Sequence, residues 1–244
     1  MLIVSIAVAA FCATFAGGLF ALRFNHRLHL MLGFSAGAVV AVAFFDLIPE
    51  AIDLAGRFHS PATVLSWVAL GFLVYLILDR IQFFSSHGEY HNGDGIPPSA
   101  LRGNLGASSL SAHSVLDGIA IGIAFQASAS VGAVVTIAVL THDFSDGINT
   151  TNVVLKNGGS RRQALRWLLA DALAPAAGVA STMFFKIQGQ TLGIALALFA
   201  GFFLYLGASD LIPESHHAHP KFLTTVMTLL GAAVLWVAVA IAGR

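Results

Sequence analysis

Charged side chains are scarce in this sequence: only 10% of its 244 residues are Asp, Glu, Lys or Arg, whereas 57% are hydrophobic. Soluble domains carry about 25% charged residues, so the mean hydropathy of +0.83 excludes an ordinary soluble domain and a disordered chain. Basic and acidic residues balance at twelve each, which gives no reason to expect a nucleic-acid partner. The composition predicts an integral membrane protein surrounded by the lipid bilayer.

Cysteine and the common enzyme motifs are also missing. Cys12 is the only cysteine, so an internal disulfide and a thiolate metal cluster are excluded. No HExxH, Walker A or GxGxxG pattern occurs, which argues against a metalloprotease, an ATPase and a dinucleotide-dependent enzyme. We therefore expect a protein that is not an enzyme and requires no cofactor.

Eight apolar stretches, five without a charged residue and three interrupted by Asp, are each close to the roughly 20 residues that a membrane-spanning helix needs. Lipid offers backbone groups no hydrogen-bond partner, so these spans must be helical. The first stretch has no positively charged region before it, and we interpret it as a span and not as a secretory signal. We predict one all-α polytopic domain over residues 1–244, with helices at about 1–23, 29–52, 61–84, 105–127, 131–155, 163–186, 188–213 and 221–243 and a loop at about 85–104.

Lys and Arg are distributed unevenly among the connections. If the N-terminus is outside, nine of them lie on the cytoplasmic side and three outside. Cytoplasmic loops of membrane proteins are enriched in these residues, so we predict that both termini are extracytoplasmic and that the long loop is cytoplasmic. The compact loops favour a prokaryotic inner membrane.

A five-residue sequence, DLIPE, occurs at residues 46–50 and again at 210–214. The copies end spans 2 and 7, which cross the membrane in opposite directions in the predicted topology. Repeats of inverted topology are a device of transporters. The pattern therefore predicts that spans 1–3 and spans 6–8 are inverted repeats.

The densest chemistry lies in spans 4 and 5, which contain HSVLDG and HDFSDG. His113 and Asp117 are four residues apart, as are His142 and Asp146. The two residues of each pair therefore lie on the same helix face, about 6 Å from each other along the helix axis. Two such helices supply two nitrogen and two oxygen ligands, a set suited to Zn²⁺ and its neighbours. We expect glycines to let the two helices pack closely: these are Gly118, Gly122 and Gly147.

Asp117, Asp143 and Asp146 have no Lys or Arg near them in these spans. A buried charge costs several kcal/mol in hydrocarbon, so these groups are protonated, line water or are neutralised by a metal. A purely structural hydrogen-bond network is the alternative. The two histidines in register favour the metal.

The two motifs resemble the signature of the ZIP (Zrt/Irt-like) divalent-metal transporters of prokaryotic type. The resemblance implies a 3+2+3 helical fold with inverted repeats and a binuclear metal centre at mid-membrane. It implies transport of Zn²⁺, or of Fe²⁺, Mn²⁺ or Cd²⁺, into the cytosol by alternating access. By motif position, His113, Asp117, His142 and Asp146 would form the primary site, with Ser114 and Asp143 directed towards a second metal.

This sequence departs from the family pattern at several positions. Similar motifs often have Asn where this chain has Ser114, and Pro where it has Leu116 and Ser145. Span 6 often has Glu directly before its proline, whereas Ala174 precedes Pro175 here, and Asp171, one turn earlier, is the substitute candidate for the second site. Some members offer Met where this chain has Val39.

Further acidic and histidine side chains lie near the predicted ends of the pathway. Asp46 and Glu50 would attract cations at the entrance, and two histidines of the long loop, His87 and His91, would form a relay. A larger set would form the cytoplasmic exit: Asp210, Glu214, His216, His217 and His219. Ordinary interfacial polarity is the alternative for the entrance and exit residues, and for His87 and His91 the alternative is a pair of solvated loop histidines.

Two other functions stay open at this stage. An intramembrane zinc hydrolase of the ceramidase kind would also use His, Asp and Ser in a helical bundle, with the metal as a fixed catalyst. A proton-coupled exporter of the cation diffusion facilitator type also pairs His and Asp four residues apart. Glycine-rich helix faces are compatible with a homodimer.

Overall fold

The computed structural model describes residues 2–23, 28–86, 99–216 and 222–242. Within these ranges, eight helices are long and apolar enough to cross a membrane. The prediction of an all-α protein with eight spans is confirmed. The helices are α1 (Leu2–Ala21), α2 (Leu28–Val42, continuing through Ala43–Leu47 into Ile48–Ala55), α3 (Pro61–Ser86), α4 (Ala100–Ala127), α5 (Ala129–Lys156), α6 (Arg161–Ser181), α7 (Gln190–Tyr205, continuing through Leu206–Leu211 into Ile212–His216) and α8 (Phe222–Ile241).

Helix α4 begins at Ala100, five residues before the predicted start, so the last residues of the predicted loop are helical. Ser99 caps it, because its side-chain oxygen accepts a hydrogen bond from the backbone N–H of Arg102. Ser128 caps α5 in the same way through Val131, and it also ends α4. Ser128 is therefore the single residue between α4 and α5, which follow one another without a loop.

Both DLIPE copies adopt the same local geometry. A π-helical turn occupies Ala43–Leu47 in α2 and Leu206–Leu211 in α7, and each ends just before the proline. Proline lacks an N–H group and its ring crowds the carbonyl four residues earlier. The wider turn, in which Ile48 N–H bonds to the carbonyl of Ala43 and Ile212 N–H to that of Gly207, accommodates this crowding.

Among the described residues, four helix crossings each contain two glycines, one on each helix. A Cβ atom on any of them would overlap a backbone carbonyl oxygen of the opposite helix. The missing side chains let the two backbones touch, which is how helices pack tightly in lipid. The pairs are Gly17 and Gly147 in α1·α5, Gly118 and Gly178 in α4·α6, Gly37 and Gly231 in α2·α8, and Gly71 and Gly201 in α3·α7.

These crossings repeat across the two halves of the chain. Exchanging α1 with α6, α2 with α7, α3 with α8 and α4 with α5 maps each glycine pair onto another. Gly37 and Gly201 also precede the two DLIPE copies by the same number of residues. A 3+2+3 arrangement with inverted repeats would produce this pattern, and that arrangement stays a prediction.

One expectation about the glycines is wrong. Gly118 faces Pro175 of α6, Gly122 faces Thr182 just after α6, and Gly147 faces Thr14 of α1. They therefore do not bring α4 against α5. Those two helices approach through other glycines. Gly106 and Gly132 face side chains of the partner helix, and Gly103 faces Asn157, which directly follows α5, and backbone atoms of Val153 and Val154.

The helices form two groups. Helices α1, α4, α5 and α6 pack on one another, as do α2, α3, α7 and α8. The groups meet mainly where α2 packs on α5, with smaller contacts of α4 with α3 and α7. Because all four glycine crossings lie inside a group, the closest packing is within the groups and not between them.

We expect Gly231→Ala to lower the free energy of unfolding by about 1–3 kcal/mol, the usual cost of overpacking, because its Cβ would overlap the carbonyl oxygen of Phe34. Thermal unfolding of the detergent-purified protein measures this. Gly103→Ala is the matched control, since its Cβ would only come within 3.2 Å of the Asn157 side chain. Equal melting temperatures for the two variants would contradict the role of the crossings.

Candidate metal centre

The two His–Asp pairs converge between α4 and α5. His113, Asp117, His142 and Asp146 are buried and each offers one nitrogen or oxygen atom, all within 4.8 Å of one another. Asp117 Oδ2 lies 3.2 Å from His113 Nε2 and 3.3 Å from His142 Nε2. Asp146 Oδ2 lies 4.0 and 3.8 Å from the same nitrogens. Ligands of tetrahedral Zn²⁺ lie about 3.4 Å apart at bond lengths of about 2.0–2.2 Å. The four side chains could therefore bind a divalent ion if the longer of these distances became slightly shorter.

Several carboxylate oxygens in this region are buried and make no hydrogen bond within the described residues. They are Asp117 Oδ1, Asp146 Oδ2 and both oxygens of Asp143. Moreover, the buried residues of the described segments include no Lys or Arg. A buried charge without a partner is strongly unfavourable. If they are ionised, the carboxylates therefore need a cation from elsewhere, which a divalent metal ion would supply.

The second nitrogen of each histidine is held away from the centre. His142 Nδ1 lies 3.0 Å from the carbonyl oxygen of Ala138, one turn earlier in α5. His113 Nδ1 lies 2.7 Å from the hydroxyl oxygen of Tyr75 in α3. Partners of this kind orient a metal-binding imidazole. Tyr75 was not among the predicted site residues, since its only signal is a single phenolic hydroxyl within the apolar stretch at 68–78.

Asp171 of α6 is buried and accepts two hydrogen bonds. Ser114 Oγ of α4 donates to one carboxylate oxygen at 2.8 Å, and Thr150 Oγ1 of α5 donates to the other at 2.7 Å. Asp171 therefore ties three helices together. Thr150 did not emerge from the sequence, because a threonine in a span is usually an ordinary helix residue. The roles of Ser114 and Asp171 as ligands of a second metal stay predictions.

The departures from the family pattern have local consequences. Helices α4 and α5 run unbroken through Leu116 and Ser145, where proline would have interrupted them. Pro175 lies inside α6, and its carbonyl oxygen is the atom that Gly118 approaches. Val39 is fully buried in α2.

The predicted entrance and exit residues differ in how deeply they are buried. Asp46 is fully buried in the π turn of α2, and Glu50 lines a cleft together with Asp53 and Trp236. Asp210, at the matching position of α7, is exposed. The remaining relay and exit residues lie outside the described residues or have side chains that do: His87, His91, Glu214, His216, His217 and His219. All these pathway roles stay predictions.

Comparison with known proteins agrees with this geometry. The sequence model of the family described as ZIP Zinc transporter matches residues 85–238, more than half of the chain. The chain belongs to the ZIP zinc transporter family. The resemblance inferred from the two motifs is thereby confirmed, and the matched segment contains all four residues of the cluster. The ZIP family consists of transporters, in agreement with the expectation that the chain is not an enzyme.

Individual ZIP proteins are similar to this chain over different lengths. Zinc transporter ZIP13 of Gallus gallus is 24% identical over 245 aligned residues, which cover 78% of this chain and 67% of that protein. Zinc transporter SLC39A7 of Canis lupus familiaris is 30% identical over 57% of this chain, and Zinc transporter ZIP10 of Danio rerio is 35% identical over 43% of it. The alignments span only 32% and 12% of those two relatives.

We expect Asp171→Ala to lower the free energy of unfolding by about 1–3 kcal/mol, because Thr150 loses this acceptor and Ser114 keeps only the carbonyl oxygen of Leu110. Thermal unfolding of the metal-free protein measures the loss. Asp53→Ala is the control, since Asp53 is exposed. An unchanged melting temperature for Asp171→Ala would show that the hydrogen bonds of Asp171 contribute little to the free energy of unfolding.

Proposed function

We propose that the protein carries divalent transition-metal ions, foremost Zn²⁺, across the membrane into the cytosol. The observation that carries the proposal is the buried cluster of His113, Asp117, His142 and Asp146. The names of the ZIP relatives, all zinc transporters, support Zn²⁺ as the substrate. Fe²⁺, Mn²⁺ and Cd²⁺ suit the same ligands.

Charge balance favours a site that can both take up and release its ion. Two carboxylates and two neutral imidazoles become electrically neutral when one divalent ion binds. The loaded centre therefore avoids the cost of a net charge in a medium of low dielectric constant. Mixed nitrogen and oxygen ligands also bind less tightly than four thiolates, and a transported ion must leave as well as enter.

We further propose Asp143 as an additional ligand. Its two oxygens are buried and accept no hydrogen bond from the described residues, whereas both oxygens of Asp171 are occupied by hydroxyls. A second ion would bind through Asp143, with Ser114 and Asp171 contributing only if their mutual hydrogen bond opens. Asp117 and Asp146 would bridge the two ions.

The pathway follows from the predicted topology. Asp46 and Glu50 would attract ions on the outer side, and Asp210 with the following acidic and histidine residues would receive them on the cytoplasmic side. Alternating access of the centre to the two sides, driven by the ion's own gradient, requires no resident cofactor. The inner membrane, the extracytoplasmic termini and a homodimer belong to the same proposal. The eight glycines at the crossings are used inside the chain and do not argue for a dimer.

Zn²⁺ entry into proteoliposomes loaded with a zinc-responsive dye tests transport through the cluster. We expect His113→Ala and Asp117→Ala each to reduce the uptake rate by at least about 10-fold, since removing a ligand weakens binding more than removing its supporting partner does. His59→Ala is the control, because His59 lies in the connection between α2 and α3. Its rate should match the wild type.

The same measurement decides between transport and fixed-metal catalysis. A wild-type protein that binds zinc stoichiometrically but moves none would contradict the proposal and favour the intramembrane hydrolase. Uptake that survives both substitutions would place the pathway elsewhere.

Labelling with a membrane-impermeant maleimide tests the orientation. In a Cys12→Ser background, which contains no other cysteine, we expect Phe58→Cys to react in intact spheroplasts and Arg162→Cys to react only after permeabilisation. Both positions are exposed, in the α2–α3 connection and the first turn of α6. The reverse pattern would place the termini in the cytoplasm.

A further inference from the structure

The two histidines of the cluster are oriented by different parts of the protein. The Nδ1 atom of His142 faces the Ala138 carbonyl oxygen of its own helix. The Nδ1 atom of His113 faces the hydroxyl of Tyr75, which belongs to α3 in the other helix group. The orientation of His113 therefore depends on a side chain from outside its own group.

Tyr75 is itself held in place by aromatic rings of α7. Its ring makes edge-to-face contacts with Phe202 at a centroid distance of 4.5 Å and with Tyr205 at 5.2 Å. The Phe202 ring also lies 5.2 Å from the His113 ring. Edge-to-face pairs fix the relative orientation of rings, so the hydroxyl of Tyr75 is directed at His113 by packing.

We propose that Tyr75 is a positioning residue for the metal centre, whose hydroxyl oxygen accepts the Nδ1–H of His113 and holds Nε2 towards the ion. This inference rests on the function proposed above. A neutral imidazole has one N–H, and a metal binds at the other nitrogen. The acceptor at Nδ1 thus selects the tautomer with a free Nε2 and makes that nitrogen a better donor to the metal.

Loss of the Tyr75 hydroxyl should weaken metal binding at His113. Without the hydroxyl, the Nδ1–H of His113 would lose this acceptor, which is the group that selects the tautomer of the ring. Supporting partners of this kind typically change metal affinity by about 10–100-fold. The number of ions bound should not change, because Tyr75 is not itself a ligand.

Equilibrium Zn²⁺ and Co²⁺ binding to the purified full-length protein tests the inference. We expect Tyr75→Phe to weaken the affinity for both metals by about 10–100-fold, to shift the visible absorption of bound Co²⁺, and to leave the stoichiometry unchanged. Tyr205→Phe removes a hydroxyl from the neighbouring ring and should leave all three unchanged. Because both variants keep their rings, thermal unfolding should show that they fold like the wild type.

A double-mutant cycle separates positioning from a general structural effect. In a His113→Ala background, Tyr75→Phe should have no further effect on affinity, whereas in a His142→Ala background the full loss should remain. Equal losses in both backgrounds, or no loss in the single variant, would overturn the inference and leave the proposed function standing. A wild-type protein that binds neither metal would overturn both.

Discussion

Backbone contact between helices at paired glycines is the constraint on which the rest of this structure depends. In lipid, apolar side chains gain little from meeting one another, so close packing must hold the helices together. Each of four crossings brings a glycine against a backbone carbonyl in both directions. Two of these crossings, α1·α5 and α4·α6, use Gly147 and Gly118, which directly follow Asp146 and Asp117. The packing that anchors each helix is therefore adjacent to its proposed metal-binding residues.

The cluster itself would be unstable without such a scaffold. Four buried polar side chains, two of them carboxylates, meet between α4 and α5, and Asp143 adds another buried carboxylate. If ionised, Asp117 of α4 repels Asp143 and Asp146 of α5, and the contact between His142 Nε2 and Asp117 Oδ2 opposes this repulsion only in part. Asp171 contributes an opposing force, since its hydrogen bonds to Ser114 and Thr150 join α4, α5 and α6 beside the cluster.

The sequence was informative wherever the signal was local. Eight apolar stretches predicted eight spans because hydrophobic length alone determines a membrane helix, and four-residue spacing placed His113 with Asp117 and His142 with Asp146 on one face. Contacts between distant segments were not predictable in this way. Gly118 could be recognised as a packing residue, but the sequence did not indicate that it faces Pro175 of α6 and not α5. Likewise, nothing near Tyr75 or Thr150 indicates that their hydroxyls meet His113 and Asp171.

The two DLIPE copies show that identical sequence need not mean identical surroundings. Both place their aspartate in a π turn before a proline, because that geometry is dictated locally. Yet Asp46 is fully buried and Asp210 is exposed, because burial depends on the neighbouring helices. If the repeats are inverted as predicted, the two aspartates lie towards opposite faces of the membrane, and the protein is closed around one and open around the other. A transporter with repeated halves needs this inequality, since a site equally open at both ends would be a channel. Under the proposed alternating access, the opposite arrangement would bury Asp210 and expose Asp46, and the glycine crossings would be preserved because they lie inside each helix group.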